Sequence, residues 1–98
     1  MIALKKEPDK DIMLTTVDNE LKALQKAVGG HIEAVTLATD CIVLCDEEGL
    51  LKGKPYCCSF ANIDFFGTIL VVGAKGEDFA DLSARSATNF RKLMRVKR

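Results

Sequence analysis

Much that would announce a chemistry is missing from this sequence. It has no tryptophan, one tyrosine, two prolines and a single histidine, His31. A cysteine nucleophile needs a base within reach, and His31 is the one histidine that can serve. The chain also has no excess of either charge. Its 14 basic and 14 acidic residues cancel, so no global field draws in nucleic acid or an anionic membrane. No apolar run approaches the roughly 20 residues of a membrane span. The start, MIALKKEPDKD, lacks the long hydrophobic region of a secretory signal. The glycines of GTILVVGAKG do not stand in the Gly-x-x-x-x-Gly-Lys-Ser/Thr order that cradles phosphate. Without export, the reducing cytosol is the expected compartment, so the four cysteines are expected as thiols or metal ligands, not disulfides.

What the sequence does have is pattern. In LKALQKAVGGHIEAV, residues Leu21, Leu24 and Val28 fall on one helical face, with Ala23 and Ala27 beside them. Asp18 or Asn19 is placed to cap the first turn, and Gly29-Gly30 to stop the helix. The period then shortens to two, predicting a strand from Ile32 to Leu37. A second strand, Cys41 to Cys45, follows a hairpin-like turn at Ala38-Thr39-Asp40. Met1 to Lys6 and Ile12 to Thr16 read as a first strand pair around Pro8-Asp9-Lys10. Asp46-Glu47-Glu48-Gly49 reads as a solvated charged turn, and Leu50 to Pro55 as a loop. Tyr56 to Phe66 has no clear period, although Phe60, Ile63, Phe65 and Phe66 call for burial. GTILVVG reads as a central strand. Asp78 is placed to cap a second helix with Phe79, Leu82, Phe90, Leu93 and Met94 among its apolar positions. The expected fold is α+β, one domain over residues 1–98, with an antiparallel or mixed sheet of about four to five strands and two main helices packed on it.

The segments LKALQKAVGGHIEAV, CDEEGLLKGKP, GTILVVG and GEDFADLS, taken in that order, resemble DUF3846. This is a family of small proteins of bacteriophages, plasmids and Gram-positive bacteria, catalogued as a domain of unknown function. The resemblance spans roughly Asp18 to Ser83 and departs from the family pattern at two places. Cys57-Cys58 stands where a polar pair is expected after Pro55, and His31 stands where an aromatic follows the glycines. The family implies no activity; it does imply an origin on a mobile genetic element and a place in the host cytoplasm.

Both departures introduce metal-capable side chains. Residues four apart in a strand are separated by about 13 Å, whereas two thiolates on one zinc stand about 4 Å apart, so Cys41 and Cys45 cannot share an ion. A mononuclear site would draw on His31, Cys45, Cys57 and Cys58, holding a structural zinc. The favoured expectation is no cofactor, with the cysteines packed as small hydrophobes. After Asp81 the chain carries no acid, and Arg91, Arg95 and Arg98 share a helical face suited to phosphate or an acidic surface; cations there also complement the helix dipole. Acids gather at Asp40 with Asp46 to Glu48, and at Glu77, Asp78 and Asp81, a polarity suited to a basic partner. The resemblance, the small size and the lack of a catalytic constellation lead to a functional expectation. It is a non-catalytic inhibitor that occludes a host defence protein such as a CRISPR effector nuclease. The alternative is a nucleic-acid accessory protein using the basic last helix. A small enzyme using Cys57 or Cys58 ranks third. No membrane partner is expected.

Overall fold

Alternating aliphatic and β-branched runs dominate the chain, and most of them become strand. A computed structural model describes the backbone of residues 1–96 and the side chains of residues 1–92. Among these residues the order is β1 (Ile2–Lys6), β2 (Met13–Thr16), α1 (Leu21–Val28), β3 (Ile32–Ala38), β4 (Cys41–Asp46), β5 (Tyr56–Phe60), β6 (Ile63–Phe66), β7 (Ile69–Lys75), β8 (Asp78–Ala80) and α2 (Ala84–Val96).

The main sheet runs β2-β1-β7-β4-β3, with β8 paired to β7, and β5-β6 forms a separate hairpin. Every ladder is antiparallel. Residues 69–72 are wholly buried, because both faces of β7 are covered. On one face Leu70 and Val72 join Leu44 and Ala3 beneath Leu24 and Val28 of α1. On the other, Ile69, Val71, Val43 and Leu4 meet Cys57, Cys58, Phe60 and Phe65 of the hairpin, with Leu82 and Phe90. The result is three layers, in which α1 covers one side of the sheet and the hairpin with α2 covers the other. A period-two strand with apolar residues at every position can satisfy both sides only in such a sandwich.

The first strand pair, the β3–β4 hairpin and the central β7 follow the sequence reading. Other elements differ from it. Eight strands replace four to five, because the aromatic stretch folds as a hairpin and Asp78–Ala80 pairs with Gly73, Ala74 and Lys75. Asp78 therefore lies in a strand and caps no helix. The second helix begins at Ala84, where Ser83 Oγ accepts the Ser86 N–H at 3.1 Å. Neither Asp18 nor Asn19 caps α1: Glu20 holds that position without a side-chain bond. Asn19 instead donates from Nδ2 to the Phe79 carbonyl at 3.0 Å, tying the helix entry to β8. Phe60 and Phe65 are buried, but Ile63 is exposed. Leu93 and Met94 have side chains outside the described set. Neither helix is long and apolar enough to cross a membrane.

The β5–β6 turn consists of Ala61 and Asn62, both with positive φ, 49° and 63°. That is the signature of a type I′ hairpin turn, in which alanine is a poor occupant. Ala61→Gly is expected to stabilise the protein by up to about 1 kcal/mol by removing the left-handed penalty, offset in part by added freedom in the unfolded chain. A rise in thermal midpoint without loss of cooperativity is the measurement that checks it.

Candidate functional site

Two ion pairs to one buried carboxylate meet the end of α1. Gly29 adopts a left-handed φ of 82° and closes the helix with its N–H on the Gln25 carbonyl at 2.8 Å. Gly30 follows with its own N–H on the same carbonyl at 3.0 Å. A Cβ at Gly30 would stand 2.5 Å from Asp46 Oδ2. The second glycine is thus required by what lies against it, the buried carboxylate that ends β4.

Asp46 has a fully buried side chain and receives Lys54 Nζ at 2.7 Å and Lys52 Nζ at 2.9 Å on Oδ2. Its Oδ1 accepts the Glu48 N–H at 2.9 Å. Lys54 Nζ also donates to the carbonyls of Val28 and Gly29, both at 3.0 Å, neutralising the negative end of α1. Burial alone would raise the Asp46 pKa. The hydrogen bonds from Lys54, Lys52 and Glu48 outweigh it and hold the carboxyl well below the usual carboxylate range. Asp46 is therefore no part of a solvated turn. It is the centre of a clasp joining α1, β4 and the Lys52–Lys54 loop. The sequence held one signal for this, two lysines following an acid and two glycines, with nothing to say that the loop folds back.

The sheet has two open edges. At one, Glu47 N donates to the His31 carbonyl at 3.0 Å, so His31, Glu33 and Val35 direct their backbone groups to β4. By the alternation of antiparallel ladders, Ile32, Ala34 and Thr36 direct theirs outward. Glu33 and Asp40 are exposed along this edge, and Glu47 and Glu48 at its end. At the other edge, Met1 and Val17 exchange both backbone bonds at 2.9 Å. Thr15 and Met13 therefore face β1, while Leu14 and Thr16 point outward.

Compared with protein families, residues 1–95 match the family described as Domain of unknown function (DUF3846). The chain belongs to that family. Comparisons with curated proteins and with solved structures find no match. The match covers the residues of the clasp together with nearly all of the chain.

The residues singled out from the sequence of this DUF3846 chain are distributed as follows. Cys45 lies opposite Glu33 in the β3–β4 register. All four cysteines are free, buried and in one apolar cluster between sheet and hairpin. A register shift between Tyr56 and Cys58 lets adjacent Cys57 and Cys58 both turn inward. His31, in contrast, is exposed. Among the described residues no group of three or more His, Cys, Asp or Glu side chains is gathered in a way that could hold a metal ion. Burial, with the charges of Glu33 and Asp46, pushes the Cys45 thiol up to about 11, and burial beside Asp40 also raises Cys41. The hydrogen bond shared by Cys57 and Cys58 lowers the former and raises the latter. Cys57 donates to the Lys6 carbonyl at 3.5 Å.

Arg91 is exposed on α2, next to exposed Lys92, with Arg85 exposed one face earlier. The side chain of Arg95 and the whole of Arg98 lie outside the described residues.

Proposed function

We propose that this protein is a non-catalytic inhibitor carried by a mobile genetic element. It binds a host defence protein, an RNA-guided nuclease of the CRISPR type, and occludes its nucleic-acid path. The observation that supports this reading is the β3 edge. Its outward backbone groups at Ile32, Ala34 and Thr36 offer a template for strand addition. The strand carries no lysine, arginine or proline of the kind that blunts open edges. The exposed carboxylates of Glu33, Asp40, Glu47 and Glu48 border it with negative charge. A nuclease that grips nucleic acid presents the opposite charge, and complementarity of that kind sets partner choice and encounter rate.

The test is a plasmid- or phage-interference assay in cells carrying a defined RNA-guided nuclease. The wild-type protein should restore plasmid or phage survival. Ala34→Pro should abolish the effect while leaving the fold intact, since the Ala34 N–H faces outward and takes no part in the β4 ladder. Interference unchanged by the wild-type protein would remove the nuclease as the partner. The competing reading is a nucleic-acid accessory protein that grips phosphate through Arg91 and its neighbours on α2. It requires a gel shift at low salt that weakens in Arg91→Ala and falls steeply with added salt.

A further inference from the structure

We propose that Cys57 and Cys58 are a redox modification site, at which hydrogen peroxide joins the two neighbouring thiols in a reversible disulfide. Neighbours in a regular strand point to opposite faces, which keeps adjacent thiols apart. Here the register shift between Tyr56 and Cys58 leaves Cys57 without a partner in the β5–β6 ladder, the arrangement of a bulge. Both side chains therefore enter the same apolar cluster, Cys57 9 % and Cys58 6 % exposed. There they share a hydrogen bond.

A bridge between neighbours strains the backbone. Their Cα atoms stand about 3.8 Å apart, short of the about 4.4–6.8 Å usual for a disulfide. The bulge supplies the needed freedom, because turning the unpaired Cys57 breaks no ladder pair. Strain also makes such a bridge easy to reduce, so the pair suits a reversible mark and not a permanent staple. Access follows from the topology. The hairpin pairs with itself and with no strand of the main sheet. It can lift locally without opening the sheet, and peroxide, scarcely larger than water, needs only a small gap.

The two thiols have different roles. The hydrogen bond from Cys58 holds the Cys57 thiol below its ordinary value against the effect of burial, and the charge of Lys6 adds to it. Cys57 is thus the attacking sulfur, since the thiolate is the nucleophile. Its attack on one peroxide oxygen breaks the O–O bond and releases hydroxide, which takes up the proton that Cys57 lost. Cys57 is then a sulfenic acid. The Cys58 sulfur attacks the Cys57 sulfur, the S–O bond breaks, and the oxygen leaves as water with the Cys58 proton. Two thiols and one peroxide give one disulfide and two waters, the peroxide taking the two electrons that the sulfurs lose. Cys41 and Cys45 are poor competitors: burial raises both thiols, with Asp40 beside the first and Glu33 and Asp46 beside the second.

Tryptic mapping of the whole chain after peroxide treatment tests this. Residues 53–75 form one tryptic peptide, because cleavage does not occur at Lys54 ahead of Pro55, and its cysteines are Cys57 and Cys58 alone. Once free thiols are blocked with iodoacetamide in urea, this peptide should carry no label and weigh two hydrogens less than its dithiol form. Dithiothreitol before blocking should return two labels. The peptide holding Cys41 and Cys45 should stay fully labelled at the same dose. In Cys58→Ala, dimedone should trap a sulfenic acid on Cys57; in Cys57→Ala, Cys58 should trap none. A wild-type 53–75 peptide that keeps both labels overturns the proposal, whether or not the variants fold. So does a bridge from this peptide to Cys41 or Cys45, or a dimedone adduct that forms on Cys58 as readily as on Cys57.

Discussion

Asp46→Ala is expected to lower folding stability by about 3 kcal/mol at neutral pH, with urea denaturation as the measurement. Removing one partner of a buried ion pair leaves charge without compensation, an effect of about 3–5 kcal/mol when both groups are enclosed. Here Lys54 is 22 % and Lys52 41 % exposed. Both can turn partly to water, which places the loss at the lower end. The variant also frees the carbonyls of α1 that Lys54 holds and the turn that the Glu48 N–H anchors. The pH dependence has a definite sign. The folded carboxyl lies well below its ordinary value, while in the unfolded chain an aspartate titrates near about 3.9. The unfolded state therefore takes up the proton first. The Asp46 contribution is complete above that pH and is lost as pH falls below it, by at most about 1.4 kcal/mol per pH unit. Asp46→Asn should show a shallower acid limb than the wild type. An acid limb of equal steepness in both proteins would assign acid sensitivity to other carboxylates.

Phe90→Ala is expected to lower stability by about 3–5 kcal/mol, the usual effect of emptying a buried aromatic site. Phe90 is 2 % exposed, and its ring centroid lies 4.2 Å from that of Phe60. It is the described aromatic of α2, and it reaches both the hairpin and the sheet cluster. Against a total of about 5–15 kcal/mol for a small domain, such a loss leaves the variant marginal at physiological temperature. Phe90→Leu, which keeps most of the volume, should recover most of the difference. A small effect of Phe90→Ala in guanidinium titration would mean that α2 is a dispensable cover and no part of the core.

How much of this could be read in advance depended on whether the signal was local. The β3–β4 hairpin was legible because period two holds on both sides of a short turn, and that turn fixes Glu33 opposite Cys45. β7 was legible because glycines bound an unbroken apolar run. The β5–β6 hairpin was hidden by two departures from rule. Its turn is Ala61-Asn62, with no glycine, and the bulge at Cys57 shifts the alternation by one residue. β8 was hidden because Asp78, Phe79 and Leu82 have helix-like spacing, and tertiary pairing with Gly73 to Lys75 overrides it. The clasp was legible only in part: the helix stop at Gly29 was evident. The burial of Asp46 was not, since it depends on a loop that returns Lys52 and Lys54 to the same corner. All four cysteines are buried in one apolar cluster. The phosphate-binding reading of α2 is decided by the gel shift.

The position of β7 has a consequence for how the chain reaches its native state. This strand lies between β1 and β4, yet it is made after both. Until residues 69–75 leave the ribosome, the β1–β2 and β3–β4 hairpins have no common partner, and each exposes an inner edge that the finished sheet hides. At synthesis rates of about 5–20 residues per second, the interval from the end of β4 to the end of β7 lasts about 1.5–6 seconds. Non-local closure of this kind slows folding relative to a sheet built from neighbours in sequence. For the nascent protein, those seconds are the period of greatest exposure to aggregation and to chaperones. A chain ending before Ile69 should fail to fold cooperatively, even though most of its strands are already present.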